Sequence, residues 1–153
     1  MPTYYEDIEP GWTKPCGRQT MAKDEIIAFA ERFDPQPFHV DERAAQQSIF
    51  GGIIASGLHT MCVSMRMYTD EFLVDIPLVA GRGLDGVRFP NAVYPGDTLS
   101  VQVEVLEKSP SASDPSWGEV DVSLTTVNQS DETVLSLSNV FVVERRSADE
   151  MGT

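Results

Sequence analysis

Cysteine and histidine are both scarce in this sequence. It contains two cysteines, Cys16 and Cys62, with no metal-binding motif around either, and two histidines. Since neither Cys-x2-Cys nor His-x3-His spacing occurs, the sequence disfavours a zinc site. A disulfide between the two cysteines stays open at this point, but two free thiols in a reducing cytoplasm are the favoured interpretation.

Basic residues are few compared with acidic ones. The chain has 11 Lys and Arg against 24 Asp and Glu, which gives a formal net charge of −13. A nucleic-acid surface needs clustered Lys and Arg, so we expect no nucleic-acid partner. An anionic ligand would have to be bound by a few local cations, and Arg66 and Arg88 are the candidates.

Long hydrophobic runs are also absent. None approaches the roughly 18 apolar residues that a transmembrane helix needs, so we expect no membrane association. The start of the chain, Met1 to Asp7, has neither a basic nor an apolar targeting stretch, and we expect a cytoplasmic protein without a secretory signal. No repeat or composition break divides the 153 residues, which predicts a single domain over 1–153.

Two segments have helical patterns. In residues 23–33, four apolar residues share the spacing i, i+3, i+4 and i+7: Ile26, Phe29, Ala30 and Phe33. The segment Asp34-Pro35-Gln36-Pro37 must end this helix, because proline cannot continue the hydrogen-bond ladder. A second helix, predicted at about residues 57–72, is small or apolar on nearly every side, which is typical of a helix surrounded by protein.

From residue 78 the hydrophobic period changes to two. Apolar residues alternate with polar ones in three segments, and a last apolar run lies at 140–143. The alternating apolar residues are Val101, Val103 and Val105, then Val120, Val122 and Leu124, then Leu135 and Leu137. This pattern predicts consecutive antiparallel strands with one buried face, which the second helix would cover. The expected fold class is α+β, the hot-dog fold, in which an antiparallel sheet wraps around a central helix.

A carboxylate and an imidazole lie five residues apart in Asp34-Pro35-Gln36-Pro37-Phe38-His39. The two prolines stiffen the turn and fix the approach of both side chains. Asp34 and His39 can together hold one water, one group accepting its proton while the other returns a proton. On spacing alone a plainer interpretation is favoured, in which Asp34 accepts backbone hydrogen bonds and His39 packs in the loop.

The stretch from Asp34 to Asp41 resembles the hydratase motif of the MaoC-like dehydratases, the family of (R)-specific enoyl-CoA hydratases. Their pattern is Asp-x-Asn-Pro-x-His-x-Asp, and Gln36 here stands in place of the Asn. Two later segments, 50–57 and 87–99, also resemble family segments and follow in the same order. Since a longer side chain at position 36 would change the pocket, this departure affects the expected substrate more than the expected fold.

The resemblance implies hydration of a trans-2-enoyl-CoA to a 3-hydroxyacyl-CoA, or the reverse dehydration, without metal or redox cofactor. Asp34 and His39 would activate the water that adds to Cβ and supply the proton for Cα. Gly57 would direct its N–H at the thioester oxygen, with Ser56 beside it as a further oxyanion or substrate-binding residue. Physical chemistry supports this role of Gly57 independently of the resemblance. A glycine at a helix start lets a ligand approach the backbone closely, and the helix dipole there favours negative charge.

The resemblance also implies a homodimer, or a higher homo-oligomer, that binds an acyl-CoA thioester near its interface. Two alternatives stay open. An acyl-CoA thioesterase of the same fold is disfavoured, because the central helix up to Tyr68 offers no Asp or Glu to activate water. A non-catalytic acyl-thioester-binding subunit is disfavoured by the Asp34 and His39 pair, but Gln36 keeps it open. We expect the second histidine, His59, to be a core or interface residue.

Overall fold

A computed structural model describes residues 1–147. Its elements, in chain order, are β1 (Thr13–Thr20), α1 (Lys23–Phe33), α2 (Pro37–Val40), α3 (Glu42–Gln46), α4 (Gly57–Glu71), β2 (Leu78–Arg88), β3 (Thr98–Pro110), β4 (Trp117–Val127) and β5 (Thr133–Glu144), with short 3-10 helices at Tyr5–Asp7 and Leu73–Asp75. The predicted domain over 1–153 includes residues 148–153, which lie outside the described residues.

The five strands form one antiparallel sheet in the order β1-β3-β4-β5-β2. Inward positions of β3, β4 and β5 are buried: Val101, Val103, Val105, Val120, Val122, Leu124, Leu135 and Leu137. Helix α4 packs against this face and adds Met67 and Tyr68 to the same hydrophobic cluster. The α+β hot-dog fold predicted from the alternating strands and the apolar helix is therefore confirmed.

Buried polar pairs fix α4 on the sheet. The hydroxyls of Ser64 and Thr126 lie 2.7 Å apart, and both residues are buried. One turn further on, Tyr68 donates to Asn139 Oδ1 at 2.9 Å, and Asn139 in turn donates to the carbonyl of Gly83 at 3.2 Å. Burial also raises the pKa of the Tyr68 hydroxyl, so it stays a neutral donor. Because each pair has one hydrogen-bonding register, the helix cannot slide along the strands without leaving buried polar groups unpaired.

Helix α4 has an exposed stripe that the sequence analysis did not anticipate. Leu58, Cys62 and Arg66 point away from the sheet and are exposed. The expectation of a helix surrounded by protein was therefore wrong for the described chain. Leu58 and Cys62 are apolar enough to look like core residues, so composition alone could not separate this stripe from the buried face. Cys16 and Cys62 are both free thiols.

Strand β1 was also missed by the sequence analysis. Only Cys16 is buried in its eight residues, so the strand lacks the alternation that marks β3, β4 and β5. It forms one edge of the sheet and pairs with β3 through backbone hydrogen bonds, with an irregularity between Pro15 and Arg18. The polar stretch that follows His39 likewise forms a short helix, α3, whose N-terminal N–H groups are capped by the Asp41 side chain.

His59 packs α4 against α1. Its ring stacks on Phe29 with centroids 4.6 Å apart and an angle of 8° between the planes. Its Nδ1 is buried and has no hydrogen-bond partner within residues 1–147. Burial lowers the pKa of this imidazole, and the nearby Glu25 carboxylate opposes the shift only in part. His59 is thus the core histidine that we expected, held in its neutral form.

The neutral state of His59 predicts a loss of stability in acid. The pKa of histidine in an unfolded chain is about 6.5. Above that pH, the neutral His59 costs the folded state no stability. As the pH falls below it, the unfolded chain binds a proton that the folded chain does not, so the free energy of unfolding decreases. We expect His59→Phe, which keeps an aromatic ring against Phe29, to lose less unfolding free energy than the wild type between about pH 8 and pH 5. Urea unfolding at both pH values measures the difference. Equal losses in the two proteins would contradict this account.

Candidate active site

The catalytic candidates come from the junction between α1 and α2. Helix α1 ends at Phe33, and the N–H of Asp34 still bonds to the carbonyl of Ala30 at 2.8 Å. Pro37 begins α2, where its fixed φ suits the first helical position and its missing N–H is not needed. This arrangement brings the two side chains together, with His39 Nε2 3.5 Å from Asp34 Oδ2.

His39 is held by a backbone carbonyl. Its side chain is only 5% exposed, and its Nδ1 lies 2.7 Å from the carbonyl oxygen of Ile54. Because a carbonyl can only accept, Nδ1 carries the proton, and in the neutral ring Nε2 is left as an acceptor. Nε2 faces Asp34 Oδ2 at 3.5 Å.

Asp34 is held by two side-chain donors. Ser56 Oγ donates to Oδ2 at 2.6 Å, and Gln36 Nε2 donates to Oδ1 at 2.9 Å. These two hydrogen bonds, with a smaller contribution from His39, lower the pKa of the Asp34 carboxyl despite its partial burial. The side chain remains 22% exposed, so a ligand can reach it.

Asp34 and His39 could together hold a water molecule that lies beside the pair, on its cleft side. Asp34 Oδ2 and His39 Nε2 are 3.5 Å apart, too far for a good direct hydrogen bond. Two acceptors side by side are both satisfied by a water that donates one O–H to each. Such a water would present its oxygen lone pairs to the neighbouring cleft.

The start of α4 forms the opposite wall of this cleft. Ser56 caps the helix, accepting the N–H of Leu58 at 3.2 Å. Gly57 is the first helical residue, so its N–H has no acceptor within the helix, and within residues 1–147 none is bonded to it. A Cβ at Gly57 would lie 2.7 Å from Cζ of Phe89, so the absence of a side chain lets this ring close over the helix start.

All four residues predicted for the site line one open cleft of about 410 Å³: Asp34, His39, Ser56 and Gly57. The apolar part of the cleft wall includes Phe50, Phe89 and Val134. A larger groove of about 710 Å³ crosses β1, β3 and β4 and contains none of these four residues. Its size does not make it the better candidate, because it lacks an acid–base pair with a hydrogen-bond donor opposite.

Sequence reasoning missed several features of the site. The Ile54 carbonyl is a backbone group and leaves no signal in the residue pattern. Phe89 was noted only as part of a resembling segment, and its contact with Gly57 depends on tertiary packing. The candidate cations do not line the cleft: Arg66 pairs with Asp70 at 2.7 Å, and Arg88 donates to the carbonyl of Val87.

Residues 1–147 contain neither a cluster of metal ligands nor a membrane-spanning helix. No three His, Cys, Asp or Glu side chains in this part of the chain converge as a metal site would need. No helix there has the length and hydropathy needed to cross a membrane. The expectation of a reaction without metal or redox cofactor remains a prediction.

Comparison with known proteins identifies the family. A family profile described as "MaoC like domain" matches residues 13–128, which include the Asp34–His39 segment, α4 and four of the five strands. The chain belongs to this family. The resemblance inferred from the Asp34–Asp41 motif is therefore confirmed at the level of the family.

Individual relatives agree with this assignment. The uncharacterized protein YdeM of Bacillus subtilis is 40% identical over 125 residues, which span 82% of this chain and 87% of YdeM. The 3-hydroxybutyryl-CoA dehydratase of Methylorubrum extorquens is 32% identical over 120 residues, covering 70% of this chain and 66% of that enzyme. The crystal structure of a MaoC-like dehydratase from Rhodospirillum rubrum superimposes with a TM-score of 0.85 at 39% identity, covering 94% and 98% of the two chains.

Proposed function

We propose that this MaoC-like protein hydrates a trans-2-enoyl-CoA to a 3-hydroxyacyl-CoA, or catalyses the reverse dehydration. The observation that carries the proposal is the pair of acceptors, Asp34 Oδ2 and His39 Nε2, set 3.5 Å apart beside a cleft. Gly57, whose backbone N–H has no acceptor within α4, lines the same cleft. The similarity to a 3-hydroxybutyryl-CoA dehydratase and to a MaoC-like dehydratase structure supports this reaction class.

The proposed chemistry follows from these groups. A water held by Asp34 and His39 adds its oxygen to Cβ of the conjugated thioester and gives up a proton to the pair. The π electrons of the alkene move toward the thioester carbonyl, and negative charge develops on its oxygen. The Gly57 N–H, at the positive end of the α4 dipole, stabilises this enolate charge. Return of a proton from the pair to Cα completes the addition of one water without any cofactor.

The thioesterase alternative is less well supported. Such an enzyme would need a carboxylate on α4 beside the cleft, and the acids of α4 are Asp70 and Glu71 in its last turn. At a rise of ~1.5 Å per residue, Asp70 lies about 20 Å along the helix from Gly57. Asp70 is also paired with Arg66. Either carboxylate is thus too distant to activate a water at the cleft.

The non-catalytic alternative depends on Gln36, which replaces the family's asparagine. In the structure the Gln36 amide still donates to Asp34, at 2.9 Å. The longer side chain therefore keeps a hydrogen bond to the carboxylate rather than blocking the cleft. This contact favours an active site over a binding subunit that has lost its chemistry.

The dyad is tested by two substitutions. Asp34→Asn removes the negative acceptor and His39→Gln removes the titratable ring, so each should lower kcat by about 10²–10⁴ while KM changes far less. Loss of absorbance of the conjugated thioester, across a panel of trans-2-enoyl-CoA chain lengths, measures the rate.

Matched controls for this test come from elsewhere in the chain. Asp24→Asn changes an exposed acid in the first turn of α1, and His59→Gln changes the other histidine, which does not line the cleft. Both controls should keep most of the activity at neutral pH. Full activity in either Asp34→Asn or His39→Gln would exclude the proposed mechanism.

We further propose that residues 1–153 form a single domain that acts in the cytoplasm as a homodimer. The free thiols Cys16 and Cys62 fit a reducing compartment. Among the strands of residues 1–147, β2 pairs only with β5, so its other edge is open in this part of the chain, and Leu78, Val79 and Leu84 on it are exposed. An open, apolar edge strand is a site for pairing with another chain, and a second copy is the partner proposed.

Sedimentation tests the dimer. At micromolar concentration we expect a species of twice the 16.9 kDa chain mass. Leu84→Lys puts a charge on the open edge and should shift the equilibrium toward monomer. Ile49→Lys is the control, because Ile49 is more exposed than Leu84 but lies in the loop before α4, away from β2. A wild-type protein that sediments only at 16.9 kDa would rule out the dimer.

A further inference from the structure

The Ser56 hydroxyl is committed within the chain. Ser56 is 0% exposed, its hydrogen is donated to Asp34 Oδ2 at 2.6 Å, and its oxygen accepts the Leu58 N–H at 3.2 Å. A hydroxyl has a single hydrogen to donate. Ser56 therefore cannot bind the thioester oxygen while it holds Asp34, which departs from the oxyanion role expected of it from the sequence.

Gln36 holds the other oxygen of the same carboxylate. Its amide donates to Asp34 Oδ1 at 2.9 Å, and its backbone N–H bonds to the Asp34 carbonyl at 2.8 Å. The flanking residues Pro35 and Pro37 restrict the backbone between these groups. One donor thus comes from the loop that carries Asp34 and the other from the cap of α4, so the two fix the carboxylate from separate elements.

We propose that Ser56 and Gln36 are positioning residues that fix the plane of the Asp34 carboxylate and keep Oδ2 directed at the water site beside His39. This inference rests on the function proposed above. Ser56 also caps the helix that presents the Gly57 N–H, so one side chain sets the relative position of the acid–base pair and the oxyanion donor.

The need for such positioning follows from the carboxylate itself. Rotation about the last bond of an aspartate has broad, shallow minima, so without donors Asp34 would have no fixed plane. Hydrogen bonds to the ionised form also favour that form, consistent with the lowered pKa of Asp34. A protonated Asp34 could donate directly to His39 Nε2, which would remove the two acceptors that the bridging water needs.

The first measurement needs no substrate. Carboxyl ¹³C NMR of aspartate-labelled protein follows the ionisation of Asp34 in the wild type and in four variants: Ser56→Ala, Ser56→Thr, Gln36→Leu and Gln36→Glu. We expect Ser56→Ala and Gln36→Leu to raise the pKa of Asp34, since each removes a donor. Gln36→Glu should raise it further, because it sets a second carboxylate against the first. Ser56→Thr keeps the hydroxyl and should restore the wild-type value.

The second measurement is kinetic. Ser56→Ala and Gln36→Leu should lower kcat on the best enoyl-CoA by about 10–100-fold, as expected for misplacement of a reacting group, with KM changed by less than about threefold. Ser56→Thr should recover most of this loss. Ser56→Ala also removes the α4 cap, but the Gln36 side chain caps no helix, so the Gln36 variants test the proposal even if Ser56→Ala does not fold.

The outcomes separate this inference from the proposed function. An Asp34 pKa that stays unchanged in Gln36→Leu and in a folded Ser56→Ala would overturn the positioning role. Loss of activity in Ser56→Ala without a change at Asp34 would overturn it for Ser56 and assign the loss to the helix cap. If the pKa shifts appear but the wild type hydrates no enoyl-CoA, positioning stands and the proposed function fails.

Discussion

The hydrogen bond from Ser56 to Asp34 is the contact on which the rest of the site depends. At 2.6 Å it joins the end of α1 to the start of α4 through two residues that lie 22 positions apart in the sequence. On the α1 side it orients the carboxylate opposite His39. On the α4 side the same hydroxyl caps the helix that begins at Gly57, a residue that lines the cleft. A change in this contact would therefore alter the proposed acid–base pair and the proposed oxyanion donor together.

This arrangement can be rigid because α4 is fixed on the sheet. The Ser64–Thr126 and Tyr68–Asn139 contacts set its position along β4 and β5, deep in the apolar core. The N-terminus of α4 is thus anchored by contacts made further along the helix, outside the cleft. Phe89, just past the end of β2, closes over Gly57. The hot-dog fold serves here to hold a helix terminus at a fixed distance from a proline-stiffened loop, which is what preorganised catalysis requires.

Much of this could be predicted from the sequence, for physical reasons that differ by element. Alternation in β3, β4 and β5 marked those strands because one face is buried, whereas β1 buries only Cys16 and gave no signal. Asp34 and His39 were predicted because they lie in one short motif. The donor role of Ser56 was not, because its partner lies 22 residues away and is known only once the chain is folded. The exposed stripe of α4 was missed because two of its three residues, Leu58 and Cys62, are as apolar as core residues.

Isotope incorporation tests the central claim, that a water held by Asp34 and His39 adds to Cβ of an enoyl thioester. The protein is incubated with a trans-2-enoyl-CoA in H₂¹⁸O, and the products are analysed by mass spectrometry. The account predicts an intact 3-hydroxyacyl-CoA with ¹⁸O in the 3-hydroxyl group, formed by the wild type and at a greatly reduced rate by Asp34→Asn. Release of free CoA with ¹⁸O in the carboxylate of the acid would contradict it, because that product shows attack at the thioester carbon instead.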